Sequence, residues 1–132
     1  MGSPAVDALE FAVETALSPG EIRAAGKQAA TAGRFDGAIR ENLVTAGSVS
    51  YAVVHPESLA TLMTMVVSWH ELGAERRRVT LIVRGHVVVR GRLLGVPVGR
   101  ASVPALEPAA QFASTLRGLL GESRMPGSSS NR

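Results

Sequence analysis

The chain has 132 residues, a formal net charge of +3 and no cysteine. This length fits a single domain, and the lack of cysteine excludes disulfides, a thiolate nucleophile and cysteine-ligated metal sites. The first residues carry acids and no basic segment, so no signal peptide is expected. No apolar run approaches the ~20 residues that cross a bilayer. We therefore expect a soluble, cytoplasmic protein with no membrane contact.

The first two predicted elements are helices over residues 4–17 and 19–32. In the first, apolar residues recur at helical spacing. The second begins with a strong signal, because Ser18 can act as the N-cap, Pro19 fixes the first helical φ angle, and Glu21 completes a capping box.

The middle of the chain predicts two further helices and a strand. A third helix is expected over 36–46. The alternating β-branched residues of 48–54 predict a strand. A fourth helix is expected over 57–71, where the apolar positions leave only a narrow polar stripe.

The last part of the chain predicts strands and a closing helix. The strands are expected at 78–83, 86–90 and 92–98, with Arg84-Gly85 and Arg90-Gly91 marking tight turns or bulges. Pro104 and Pro108 introduce a helix that ends near Gly121.

Together these elements predict an α+β fold, with four to five helices packed on one face of a small antiparallel sheet in the order α-α-α-β-α-β-β-β-α. Residues 1–121 are expected to form the single domain and 122–132 a disordered tail. The helices over 19–32 and 36–46 also allow a helix-turn-helix around Gly33, although an ordinary helical hairpin is favoured.

The charges are distributed unevenly along the chain. The first 21 residues contain four acids and no base, whereas residues 76–100 contain seven arginines and no acid. Such an asymmetry indicates an anionic partner, either nucleic acid or an acidic protein surface. Thirteen of the fourteen basic residues are arginine, which is also what a coding bias toward arginine produces.

These arginines are the candidate binding residues. Arginine contacts phosphates and guanine, and a two-stranded β-ribbon fits the major groove of DNA. The alternative is an ordinary solvated sheet face. The favoured function is a basic, non-enzymatic protein that binds nucleic acid, DNA in particular. The candidate residues are Arg76, Arg77, Arg78, Arg84, Arg90, Arg92 and Arg100.

Self-association is the alternative function. A helix over 57–71 with so little polar surface is either central in the fold or in contact with another subunit. In the second case the protein is a structural or adaptor subunit of a homo-oligomer. The candidate interface residues are Leu62, Met63, Met65, Val66 and Trp69.

Catalysis is the third hypothesis. The sequence contains no recognised catalytic motif, so an enzyme would depend on His70 or His86 as an isolated acid or base. We expect no catalytic residue, no cofactor and no metal site.

Overall fold

The computed structural model describes residues 4–31, 38–73, 75–93 and 96–122, and for 89–93, 96–102 and 122 it describes the backbone alone. In these ranges it contains three helices and seven strands. The elements are α1 (Pro4–Asp7), β1 (Phe11–Thr15), α2 (Pro19–Ala30), β2 (Ile39–Val44), β3 (Ser48–Val54), β4 (Thr61–Gly73), β5 (Arg76–His86), β6 (Val89–Leu93), β7 (Val96–Ser102) and α3 (Leu106–Glu122).

Five strands form one antiparallel sheet in the order β1-β5-β4-β3-β2. The long hairpin β4–β5 is its centre, with Val67 paired to Leu81 and Trp69 to Val79. Among the described residues, β6 and β7 pair with each other and with no strand of this sheet. We refer to β6 and β7 together as the ribbon.

The inner face of the sheet, which α2 and α3 cover, carries the core. Side chains alternate along a strand, so every second residue of the central hairpin points to this face. These residues are Met63, Met65, Val67, Trp69, Val79 and Leu81, and none is more than 7% exposed. From α3, the Phe112 ring packs on Tyr51 of β3 with centroids 4.8 Å apart. The Thr15 hydroxyl donates to the Leu120 carbonyl (3.3 Å), which ties α3 to the end of β1.

The start of α2 confirms the predicted capping box. Ser18 Oγ accepts from the Glu21 amide (3.2 Å), and Glu21 Oε1 accepts from the Ser18 amide (2.8 Å). In the middle of the helix, a Cβ at Gly26 would clash with the hydroxyl and the ζ carbon of Tyr51. Tyr51 therefore fits against α2 only because position 26 has no side chain.

The predicted fold class, with four to five helices on one face of a small sheet, is wrong, because the described chain has three helices and a five-stranded sheet. The largest error is the helix over 57–71, where residues 57–60 belong to the connection after β3 and residues 61–71 to β4. Its apolar residues fit a helical spacing, but those at 63, 65, 67 and 69 also alternate with Thr64, Val66 and Ser68. The β-branched residues favour a strand, and pairing with both β3 and β5 stabilises it.

Two other predicted helices are also wrong. The segment 36–46 contains β2, in which Ile39 pairs with Val53, while residues 36 and 37 lie outside the described ranges. The helix-turn-helix hypothesis is wrong for the same reason, since its second helix is a strand. The helix over 4–17 is a single turn, α1, followed by β1, because pairing with β5 favours an extended chain there.

The other elements agree with the sequence predictions. The strand over 48–54 and the helices after Ser18 and after Pro104 are present. The basic region contains three strands, although their bounds differ from the predicted ones by several residues. Residues 123–132 of the predicted tail lie outside the described ranges.

Candidate functional site

The arginines at the start of β5 are matched by acids on neighbouring strands. Glu14 of β1 pairs in register with Arg78. Its carboxylate forms a hydrogen-bonded ion pair with Arg76 and lies 3.8 Å from Arg78 Nη2. Each of these side chains is about half exposed, so the pairs contribute little to stability. They nevertheless place a negative charge between two of the candidate arginines.

Arg77 is held more firmly than its neighbours. Its Nε donates to Glu71 Oε2 of β4 (2.7 Å), and its Nη1 donates to the carbonyl of Leu17 (3.0 Å). Only 16% of the Arg77 side chain is exposed. Its hydrogen-bonding capacity is therefore directed at the protein, where it fixes the chain between β1 and α2.

Arg84 lies at the opposite end of β5, where the strand has a bulge. Val83 pairs with Met65 and Gly85 pairs with Thr64, so Arg84 is the extra residue. It is exposed and lines a polar cleft of about 350 Å³ together with Asp7, Glu10 and His86. Glu10 in this cleft accepts a hydrogen bond from the Val83 amide (2.8 Å).

The remaining candidate arginines lie on the ribbon. Arg90 and Arg92 are in β6 and Arg100 is in β7, and Arg92 pairs in register with Pro97. Residues 79–106 contain four arginines and no acid. The β5 bulge and the ribbon thus form a continuous stretch of chain whose basic residues have no acidic neighbour in sequence.

The candidate interface residues divide between the two faces of β4. Met63, Met65 and Trp69 are on the inner face with the core. Val66 is on the other face, here the outer face, and is partly exposed. Leu62 lies where the register of β4 shifts and is partly buried against the hydrophobic core. The helix on which the interface hypothesis was based is therefore a strand, and of its five candidate residues only Val66 lies on the outer face away from the core.

A row of residues crosses the outer face from one edge strand to β5. In register these are Leu43, Ser50, Val66 and Ile82. Leu43 is 63% exposed and Ile82 36% exposed. The row therefore presents apolar surface that α2 and α3, on the inner face, do not cover.

The three histidines lie in three different surroundings. His55 Nδ1 accepts from the amides of Glu57 and Ser58 (3.1 and 3.2 Å), which shapes the turn between β3 and β4. His70 is exposed and pairs in register with Arg78. His86 lines the polar cleft beside Arg84. Within the described ranges, no group of three or more histidines and acids is placed to hold a metal ion.

Sequence reasoning missed an apolar cleft between α1 and α3. Its volume is about 660 Å³. Leu9, Phe11 and Leu106 contribute the large apolar side chains, and Arg117 is the one charged residue among the described residues that line it. The available signal was the exposed side of α3, where Ala110, Ser114 and Gly118 follow each other at intervals of four residues.

Comparison with protein-family models, with curated proteins and with solved structures gives no match. Within the described part of the chain, no helix is both long and apolar enough to cross a bilayer.

Proposed function

We propose that this protein is a non-enzymatic binding protein that holds nucleic acid along the ribbon and the adjoining end of β5. The proposal is carried by the contrast between the two ends of the basic stretch. Arg76, Arg77 and Arg78 lie against Glu14 and Glu71. Arg90, Arg92 and Arg100 lie on the ribbon, which forms its own two-stranded sheet within a segment of sequence without acids.

The architecture of the ribbon supports nucleic acid over a globular acidic partner. A two-stranded antiparallel ribbon has the width that the major groove of B-DNA admits. Its phosphate contacts would come from arginines on both strands and from Arg84 at its base. In this proposal Arg77 mainly stabilises the protein, and Arg76, Arg77 and Arg78 add little to binding.

The test is titration of a short fluorescently labelled DNA duplex at several salt concentrations, read by anisotropy. Each of Arg84→Gln and Arg92→Gln is expected to weaken binding and to lower the slope of log affinity against log salt by about one. Arg78→Gln is the matched control, because it removes the same charge from a position on β5 that is 3.8 Å from the Glu14 carboxylate.

Two results would contradict the proposal. One is a wild-type protein that does not bind the duplex even at low salt. The other is an Arg78→Gln protein that loses as much affinity as the Arg92→Gln protein, since binding would then depend on net charge and not on the ribbon.

Self-association through the outer face is a second candidate, with another copy of this chain as the partner. It is favoured by the exposed row Leu43, Val66 and Ile82. Arg78 and Glu14 carry opposite charges on the same face, so a two-fold related copy can match them reciprocally. Light scattering of the wild-type protein should give a mass of twice 13.8 kDa. The Ile82→Glu variant should have the mass of the monomer and an unchanged circular dichroism spectrum. A monomeric wild-type protein excludes this candidate.

A further inference from the structure

We propose that the cleft between α1 and α3 binds a small apolar carboxylate, of the kind represented by a medium-chain fatty acid. The cleft shares no residue with the ribbon or the outer face, so this site is independent of both proposed functions. Its volume of about 660 Å³ lies within the range of roughly 300–1,000 Å³ that is typical of small-molecule sites.

The space exists because the exposed side of α3 has small residues where it passes α1. A Cβ at Gly118 would meet no atom within 4 Å, so the volume beside this position is open. Ala110 and Ser114 continue the same side of the helix toward its start. Three small residues four apart leave a channel that an unbranched chain can occupy.

The walls of the channel are apolar. Leu9 comes from the turn after α1, Phe11 from β1 and Leu106 from the first turn of α3. Leu9 is buried, whereas Phe11 and Leu106 are only partly buried. An alkyl chain in the channel would remove their remaining apolar surface from water, which is favourable at roughly 25 cal/mol per Å².

Arg117 determines the charge of the ligand. Its guanidinium lies over the Phe11 ring, 5.7 Å from the centroid, so the charge is held at the apolar wall. None of the described residues that line the cleft is acidic. A guanidinium beside an apolar channel favours a carboxylate, which it binds with two parallel hydrogen bonds. The Ser114 hydroxyl, one turn earlier in α3, is a further donor in the lining.

The experiment is isothermal titration calorimetry of the full chain with decanoate, decan-1-ol and decylamine. We expect decanoate to bind with a negative heat-capacity change, which marks burial of apolar surface. Decanol should bind at least tenfold more weakly, and decylamine should give no saturable heat. Equal affinities for decanoate and decanol would overturn the assignment of the carboxylate to Arg117.

Two variants in α3 form a matched pair. Gly118→Leu fills the channel, and Gly121→Leu changes a glycine of the same helix that does not line it. Both replace a helical glycine, so both are expected to fold. Only Gly118→Leu should abolish decanoate binding, and equal binding by the two variants would overturn the location.

Arg117→Gln and Arg23→Gln form a second pair. Arg23 is about half exposed, forms an ion pair with Glu41 (3.1 Å) and lies outside the cleft. Arg117→Gln should weaken decanoate binding by about ten- to a hundredfold and leave decanol binding unchanged, whereas Arg23→Gln should change neither.

Discussion

Met65 and Val66 are neighbours on β4, but they belong to two surfaces with different requirements. Met65 is fully buried on the inner face between the sheet and the helices, whereas Val66 lies in the partly exposed row on the outer face. Inner positions are limited by packing, as the contact between Gly26 and Tyr51 shows. The side chains that fit at outer positions are restricted mainly by solvent or by a binding partner. A residue's role in this protein therefore depends on its face more than on its place in the sequence.

The largest expected effect comes from placing a charge on each face in turn. Met65→Asp puts a carboxylate into the core and removes packing, so we expect it to cost more than about 4 kcal/mol and to unfold the protein. Val66→Asp places the same charge beside solvent and should cost about 1 kcal/mol, mainly through lost strand propensity. Urea denaturation followed by circular dichroism distinguishes them. A folded Met65→Asp protein with a normal midpoint would contradict the inner packing.

The next largest effect is a pH dependence of stability that comes from Tyr51, the one tyrosine of the chain. Burial, reinforced by the charge of Glu41 and opposed by that of Arg23, raises the pKa of Tyr51 to about 12. The unfolded chain releases this proton near pH 10, so between pH 10 and 12 the folded protein binds more protons than the unfolded one. Stability should therefore fall as the pH rises through this window, by roughly 2–3 kcal/mol in all.

Tyr51→Phe isolates this contribution. Its hydroxyl has no hydrogen-bond partner among the described residues, so its removal should be neutral or stabilising by about 1 kcal/mol at pH 7. Denaturant midpoints measured from pH 8 to 11.5 should decline less steeply for Tyr51→Phe than for the wild type. Parallel declines would mean that Tyr51 ionises as freely in the folded protein as in the unfolded one.

A smaller effect tests the contact across the inner face directly. Gly26→Ala gains about 1 kcal/mol of helix propensity but forces a methyl group against the Tyr51 hydroxyl, and overpacking of this kind costs about 1–3 kcal/mol. The informative quantity is the coupling in a double-mutant cycle. Gly26→Ala should be less harmful in the Tyr51→Phe background by at least 0.5 kcal/mol. Additive effects would indicate that the two residues do not touch.

The sequence predicted the elements whose signals are local. The capping box of Ser18 and Glu21 marked α2, and the alternating residues 48–54 marked β3. The sequence prediction was wrong for β4, whose apolar residues fit a helical as well as an alternating pattern, and for β2, which contains Glu41 and Asn42, both poor strand formers. Strand partners stabilise both segments, and this pairing is not visible in the residue pattern of either segment alone.

The candidate site was predictable to a similar extent. The arginines of β5 and the ribbon are visible as a charged stretch. That Glu14 lies between Arg76 and Arg78 is not visible, because it depends on β1 pairing with β5 across more than sixty residues. The cleft between α1 and α3 was missed because the segment 4–17 was assigned to one long helix, which left no turn at Leu9 to face α3.

The last prediction compares adjacent arginines on opposite faces. Arg77→Gln and Arg78→Gln remove the same formal charge one residue apart, so any difference between them comes from local contacts. Arg77 is only 16% exposed and donates to the Leu17 carbonyl as well as to Glu71, so its loss leaves a partly buried carbonyl without its donor and should cost about 1–2 kcal/mol. Arg78 is 53% exposed, 3.8 Å from Glu14, and its loss should change stability by less than about 0.5 kcal/mol. Equal midpoints for the two variants would mean that Arg77, like Arg78, interacts mainly through charges that solvent screens. The two faces of β5 would then not differ in their contribution to stability at residues 77 and 78.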